Sequence, residues 1–268
     1  MLLDTGFHQG SSLHSFTPQA DLRMLAILSQ RDAPIGLELL WQVCSSLQRL
    51  GYPVAVLDGT ARETDNSPGL EHLLAAPSWQ GSMGTATPTA SASSLAVIPA
   101  AHGLVRLAER AAWNDGPVLQ RLHPLFRAYA VVVLYAPPET LAPLLRGSGT
   151  VPLILTGPGS AGVMQSYQQL KHMAVHAALQ CTVANVLPPG QAGRTRQSSA
   201  ALQVLEQCAQ RHLGTSLRTT TVQAASPQDI QRLALQLLEN ACTIGADTPM
   251  LQTNNSSQET PAHFVRSH

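Results

Sequence analysis

Apolar and polar residues fall in blocks along this chain, and the blocks switch between two periods. Asp21 to Leu28 carries a first apolar strand, and residues 29–35 form a turn. From Gly36 to Leu50, apolar residues recur at Leu37, Leu40, Trp41, Cys44, Leu47 and Leu50. That is close to a 3.6-residue period and predicts a helix with one buried face. Gly51 stops it. Pro53 to Leu57 is a short, wholly apolar strand of the kind buried in a parallel sheet. Strand, loop, helix and strand in that order make a βαβ unit. The loop after the first strand of such a unit faces a ligand, often a phosphate at the helix N-terminus.

The alternation continues. A short helix is predicted over Gly69 to Ala75, a strand in LAVIPA from Leu95, and a helix from His102 to Ala112. Leu119 to Arg127 reads as the end of a helical segment. Tyr129 to Tyr135 (YAVVVLY) is the clearest strand, uncharged and β-branched. Pro137 to Gly149 reads as a loop and short helix, Val151 to Thr156 as a strand, and Ser160 to Leu179 as a helix. A strand over Gln180 to Leu187, a loop to Ser198 and a helix from Ser199 to Leu213 follow. Leu217 to Val222 reads as an edge strand. Ser226 caps a last helix with Pro227 at its first position and an apolar face of Ile230, Leu233, Leu237 and Ala241. The pattern predicts an α/β fold: one domain over 21–245 with a doubly wound, mostly parallel sheet and helices on both faces. A flexible N-terminal segment over 1–20, a low-complexity loop over 81–94 (GSMGTATPTASASS) and a disordered polar tail over 246–268 flank or interrupt it.

Composition narrows the chemistry. Aromatic residues make up 4%, so the core is built from Leu, Val, Ala and Ile. Formal net charge is zero and no basic stripe is present, which argues against nucleic acid as a partner. No apolar run reaches transmembrane length, so no stable membrane insertion is expected. No basic segment precedes an apolar core at the N-terminus, so no signal peptide is read there. Cys44, Cys181, Cys208 and Cys242 are scattered and read as buried free thiols of a cytoplasmic protein. Lys171 is the only lysine.

Several stretches, in a shared order, resemble the MinD/ParA group of P-loop ATPases. The first strand is followed by a loop in the phosphate-loop position, a helix ending Leu50-Gly51 and a strand ending Leu57-Asp58. LAVIPAAHGLVRLAE at 95–109 is similar to a strand and helix of the flagellar FlhG and FleN branch. VVVLYAPPE at 131–139 stands where the group has its Walker B strand. VPLILTGPGSAGVMQSYQQLK at 151–171 looks like the strand, loop and helix that contact the nucleotide base region, and TVANVL at 182–187 occupies the place of "vvNrv". VLEQCAQRHLG at 204–214 resembles a helix of the FlhG-like proteins. The resemblance covers roughly residues 22–245 and implies the P-loop, MinD-like fold.

The departures bear on function. A working loop of this group reads K-G-G-x-G-K-[ST], with glycines that admit phosphate to backbone N–H groups and lysines that neutralise it. Here the vestigial loop includes Gln30, Arg31, Asp32, Gly36 and Glu38, and only Gly36 matches. Asp32 and Glu38 are expected to set negative charge beside any phosphate, and Pro34 removes a backbone donor. Tyr135 stands at the Walker B aspartate position, and no Asp occurs between Asp115 and Asp229. Asp58 is the remnant of the Asp-x-Asp after the second strand. The resemblance with these losses implies a pseudo-ATPase: no catalytic residue, no cofactor, with ATP and Mg2+ binding lost, and no metal site.

Other candidates are weighed against plainer readings. Asp58 is a relic Mg2+ ligand or a strand-end cap, and the loss of its partners favours the cap. Arg31 holds a phosphate or, as a solvated loop residue, pairs with Asp32. His172 and His176, at i and i+4, share a helix face and could bind a metal, but H-E-x-x-H is not met and no third ligand is evident; surface or core histidines are the favoured reading. Ser160, in a Gly-rich GPGSAG turn, fails the nucleophile-elbow spacing. Trp41 and Leu39, off the main stripe of their helix, form a partner surface or are buried in the core. The implied function is a cytoplasmic regulator or scaffold acting through protein contacts in flagellar number, placement or gene control. Its partners would be a flagellar GTPase, a regulator or a secretion-apparatus component, and it would be a monomer or an ATP-independent dimer. Alternatives are a BcsQ-like accessory protein of cellulose secretion and an enzyme with residual nucleotide turnover.

Overall fold

Asp21–Leu28 forms strand β1, with Leu22, Met24, Ala26 and Leu28 turned to one face and Leu25 and Ile27 to the other. All six are buried, because this strand runs through the middle of the sheet with helices above and below. The computed structural model describes residues 21–30, 34–75, 95–113, 118–157, 159–187 and 195–245. The readings for residues 1–20, 81–94 and 246–268, and for Arg31 and Asp32, lie outside the described residues.

After β1 come α1 (Pro34–Arg49), β2 (Val54–Asp58), α2 (Leu70–Ala75), β3 (Leu95–Pro99) and α3 (Ala101–Trp113). A 3-10 turn (Val118–Leu122) leads into α4 (His123–Phe126), then β4 (Val131–Ala136), α5 (Pro138–Leu145), β5 (Leu153–Thr156) and α6 (Ser160–Ala177). The described chain finishes with β6 (Thr182–Leu187), α7 (Thr195–Leu213), β7 (Arg218–Gln223), α8 (Pro227–Glu239) and β8 (Cys242–Gly245). The strand order is β3-β2-β4-β1-β5-β6-β7, every neighbouring pair parallel, with β8 antiparallel on β1. One edge of β1 is divided. Its first half, Asp21 to Met24, pairs with β8, and Ile27 and Leu28 pair with β5.

Two core layers follow from the strand alternation. One, under α1 and α8, holds Leu39, Leu40, Val43, Leu47, Ile230 and Leu233 against Leu25, Ile27, Val131 and Val133. The other, under α2 to α7, holds Leu104, Leu107, Leu141, Leu145, Met173 and Leu205 against Met24, Leu28, Val132 and Leu134. This is the predicted doubly wound α/β sheet.

Both sheet edges are protected. Thr221 O and Gln223 N point outward from β7, since Ala224 N turns inward to Leu187 O. Arg232 Nη2 donates to Thr221 O at 3.3 Å, and Gln223 N donates to Asp229 Oδ2 at 3.1 Å. On β3, Ala100 N turns inward to Asp58 O, so Pro99 lies in the outward set and presents no donor there.

Several boundaries differ from the sequence reading. β8 is not anticipated: α8 stops at Glu239, so Ala241 lies beyond the helix rather than on its apolar face. Residues 118–126 form a 3-10 turn and a one-turn helix, not the end of a longer one, and α7 starts at Thr195. Cys44 and Cys181 are buried, and burial pushes both thiols up to about 12. Cys208 and Cys242 are only half-buried, so the reading of four buried thiols holds for two. No helix among the described residues is long and apolar enough to cross a membrane.

Candidate functional site

The C-terminal ends of β1, β2 and β4 meet beneath the start of α1. Register places Tyr135 beside Ile27 on one side and Asp58 on the other. Alternation sends the Tyr135 ring to the α1 face, with Val131 and Val133. The residue is 3% exposed, and its Oη lies 3.7 Å from where a Cβ on Gly36 would stand. A buried phenol therefore lies against the first turn of α1. Burial, and secondly the Asp58 charge, push its pKa above the ordinary tyrosine value, so it is neutral.

Asp58 is engaged locally. Thr60 N donates to its Oδ1 at 2.9 Å and Thr60 Oγ1 at 2.6 Å, closing a turn at the end of β2. Next to it, Gly59 N donates to Tyr135 O at 2.7 Å. A Cβ on Gly59 would stand 2.5 Å from Ala136 Cβ, so only glycine permits this approach of β2 to β4.

A second arrangement closes the crest between β1, β5 and α6. The Gln30 side-chain amide donates to Leu155 O and stands 3.4 Å from Gln169 Oε1. Gln169 Nε2 donates in turn to Ser29 O at 2.9 Å. Ser29 and Gln169 are buried, so these bonds satisfy polar groups that water does not reach. Gln169 escapes the sequence reading. Its only signal there is a polar residue on the buried stripe of α6, one turn before Met173.

The other flagged residues separate. Gly36 is buried at the first turn of α1, where an added Cβ would make only ordinary contacts. Glu38 lies two residues on from the buried Gly36, on the exposed flank of α1, where Gln42 Nε2 donates to it at 3.0 Å. There it lines an open groove of about 810 Å³ with Trp41, Arg49, Pro227 and Ile230. Trp41 is 50% exposed, whereas Leu39 is buried and belongs to the core. Gly159, with φ 115°, is the N-cap of α6, so Ser160 opens a helix. His172 and His176 face each other on α6, away from the crest.

Glu63 forms a separate feature at the same end of the sheet. Its side chain is 6% exposed and accepts from His102 N at 2.8 Å, Gly103 N at 2.9 Å and Glu71 N at 3.4 Å. It thus satisfies orphan donors in the first turns of both α2 and α3. Burial raises its pKa, but the three backbone donors together outweigh that and hold it below the ordinary carboxylate value.

No protein-family model and no curated protein matches the chain. Solved structures do. The pnob8 ParA superposes with a TM-score of 0.51 at 12% identity, covering 82% of this chain and 99% of that one. MinD in the MinC:MinD cell division complex of Aquifex aeolicus gives 0.50 at 10% identity, covering 78% and 85%. Cobyrinic acid a,c-diamide synthase from Mycobacterium smegmatis, with bound ADP and magnesium, gives 0.50 at 16%, covering 81% and 94%. The chain has the parallel, helix-flanked fold of the MinD and ParA P-loop ATPases.

Proposed function

We propose that this protein is a non-catalytic regulator or scaffold, built on the MinD-like fold and acting through contacts with other proteins. The observation that carries the reading is Tyr135: a neutral, buried phenol lies against the first turn of α1, and the resemblance puts the Walker B aspartate at this residue. The described residues at the crest offer little to a magnesium nucleotide. Metal coordination uses a carboxylate or hydroxyl, whereas Asp58 Oδ1 already accepts twice from Thr60 and Tyr135 offers a neutral phenol. The chain's single lysine, Lys171, lies in α6. Gln30 is occupied by Leu155 O. The MinD found in complex with MinC supports a protein partner for this fold. The resemblance to the FlhG and FleN branch supports a role in flagellar number, placement or gene control.

Calorimetric titration of the full chain with ATP and Mg2+ tests the first part. No binding in the micromolar range and no turnover are expected. Micromolar binding, or hydrolysis abolished by Asp58→Ala, overturns the pseudo-ATPase reading. Flagellar counts in a strain lacking the protein test the second part: altered number or placement is expected. Unchanged flagella with reduced cellulose output would replace that pathway with cellulose secretion.

A further inference from the structure

On α6, His172 and His176 stand one turn apart with ring centroids 4.4 Å apart and planes 39° from parallel. Their i, i+4 spacing sets both rings on one helix face. His176 is exposed and His172 half-buried, so the pair is open to solvent on one side. The backbone beneath them is fixed at its C-terminal end. Arg146 donates to His176 O from Nε at 3.1 Å and Nη2 at 2.7 Å, and the Ala178 N–H returns to Met173 O. The last turn of α6 is therefore held in the geometry that keeps the rings together.

Imidazole ligates metals through the lone pair of a ring nitrogen. The two rings lie in contact on one face of an ordered helix, with His176 open to solvent.

We propose that His172 and His176 form a two-imidazole surface site for a borderline divalent transition cation, such as Cu2+, Ni2+ or Zn2+, with solvent in the remaining positions. The rings' contact and the openness of His176 move the pair beyond the plain reading of its spacing as surface or core histidines. Imidazole nitrogen selects these cations over Mg2+ and Ca2+, which take oxygen. Among the described residues no group of three His, Cys, Asp or Glu converges, so this is an open chelate rather than a closed structural centre. The positive charge of Arg146 beside the pair, and of Lys171 preceding it in sequence, weakens the site. Cu2+ binds most tightly of the three.

The full chain titrated separately with CuCl2, NiCl2, ZnCl2 and MgCl2 provides the test, read by thermal unfolding and by calorimetry. The transition cations raise the unfolding midpoint and Mg2+ does not. His172→Asn or His176→Asn lowers Cu2+ affinity by about tenfold or more, and the double variant loses the midpoint shift. Unchanged Cu2+ affinity in the double variant places the cation on other histidines and overturns the proposal. An equal shift with Mg2+ does the same by showing a general charge effect. A measurement on the unaltered chain guards against variants that misfold. Substoichiometric Cu2+ broadens the imidazole proton resonances of His172 and His176 together, and broadening confined to other histidines refutes the site.

Discussion

Tyr135 fills volume beneath the first turn of α1. Its ring belongs to the core layer under that helix, so its truncation leaves a cavity there. Tyr135→Ala is expected to cost about 3–5 kcal/mol in urea unfolding, and Tyr135→Phe, which keeps the ring, far less. Gly36 tests the same corner from the other side. A Cβ there meets Tyr135 Oη at 3.7 Å and Leu155 Cδ1 at 3.8 Å, both ordinary contacts. In a loop that cradles phosphate this glycine must stay bare, but here Gly36→Ala is expected to stabilise the helix by up to about 1 kcal/mol. A destabilised Gly36→Ala protein would show that the backbone at α1 still needs its old freedom. The sequence displays the tyrosine and the missing lysines directly. It does not display what Gln30 does, because its partners Leu155 and Gln169 come 125 and 139 residues later.

At the scale of elements, Glu63 links two helix starts through one carboxylate. Its folded pKa is depressed, so the stability it contributes is fully present above the unfolded value of about 4.3 and is lost as pH falls through the lower folded value. Glu63→Gln is expected to cost about 1–2 kcal/mol at neutral pH. Its deficit against the parent chain should shrink as pH drops below about 4. Urea unfolding of both proteins across that range measures the convergence, and a deficit independent of pH would assign the effect to packing alone. Elements with strong internal periodicity, such as α1 and β4, are legible in the sequence. β8 is not, because CTIG is four residues long, ends in glycine and shows no alternation of its own. It becomes a strand only because β1 offers Asp21 to Met24 an unpaired edge. The short helices around residue 122 are legible as helical but not in their bounds, since a single turn is too brief for a 3.6-residue period to register.

For the whole molecule, the doubly wound sheet follows from the order of blocks, and that order is what the sequence carries best. On the proposed non-catalytic reading, sedimentation of this chain is expected to give the same mass with and without ATP and Mg2+; a nucleotide-dependent increase in mass would contradict it.

The divided edge of β1 also sets a timetable. The central strand is made before the other described elements, and the partner of its first half, β8, is encoded more than 200 residues later. At roughly 5–20 residues per second, a ribosome needs about ten to forty seconds to cover that interval. Throughout it, Leu22 and Met24 must wait with their final neighbour unmade. A nascent chain of this protein carries half of one edge of its central strand without its final partner until β8 is made.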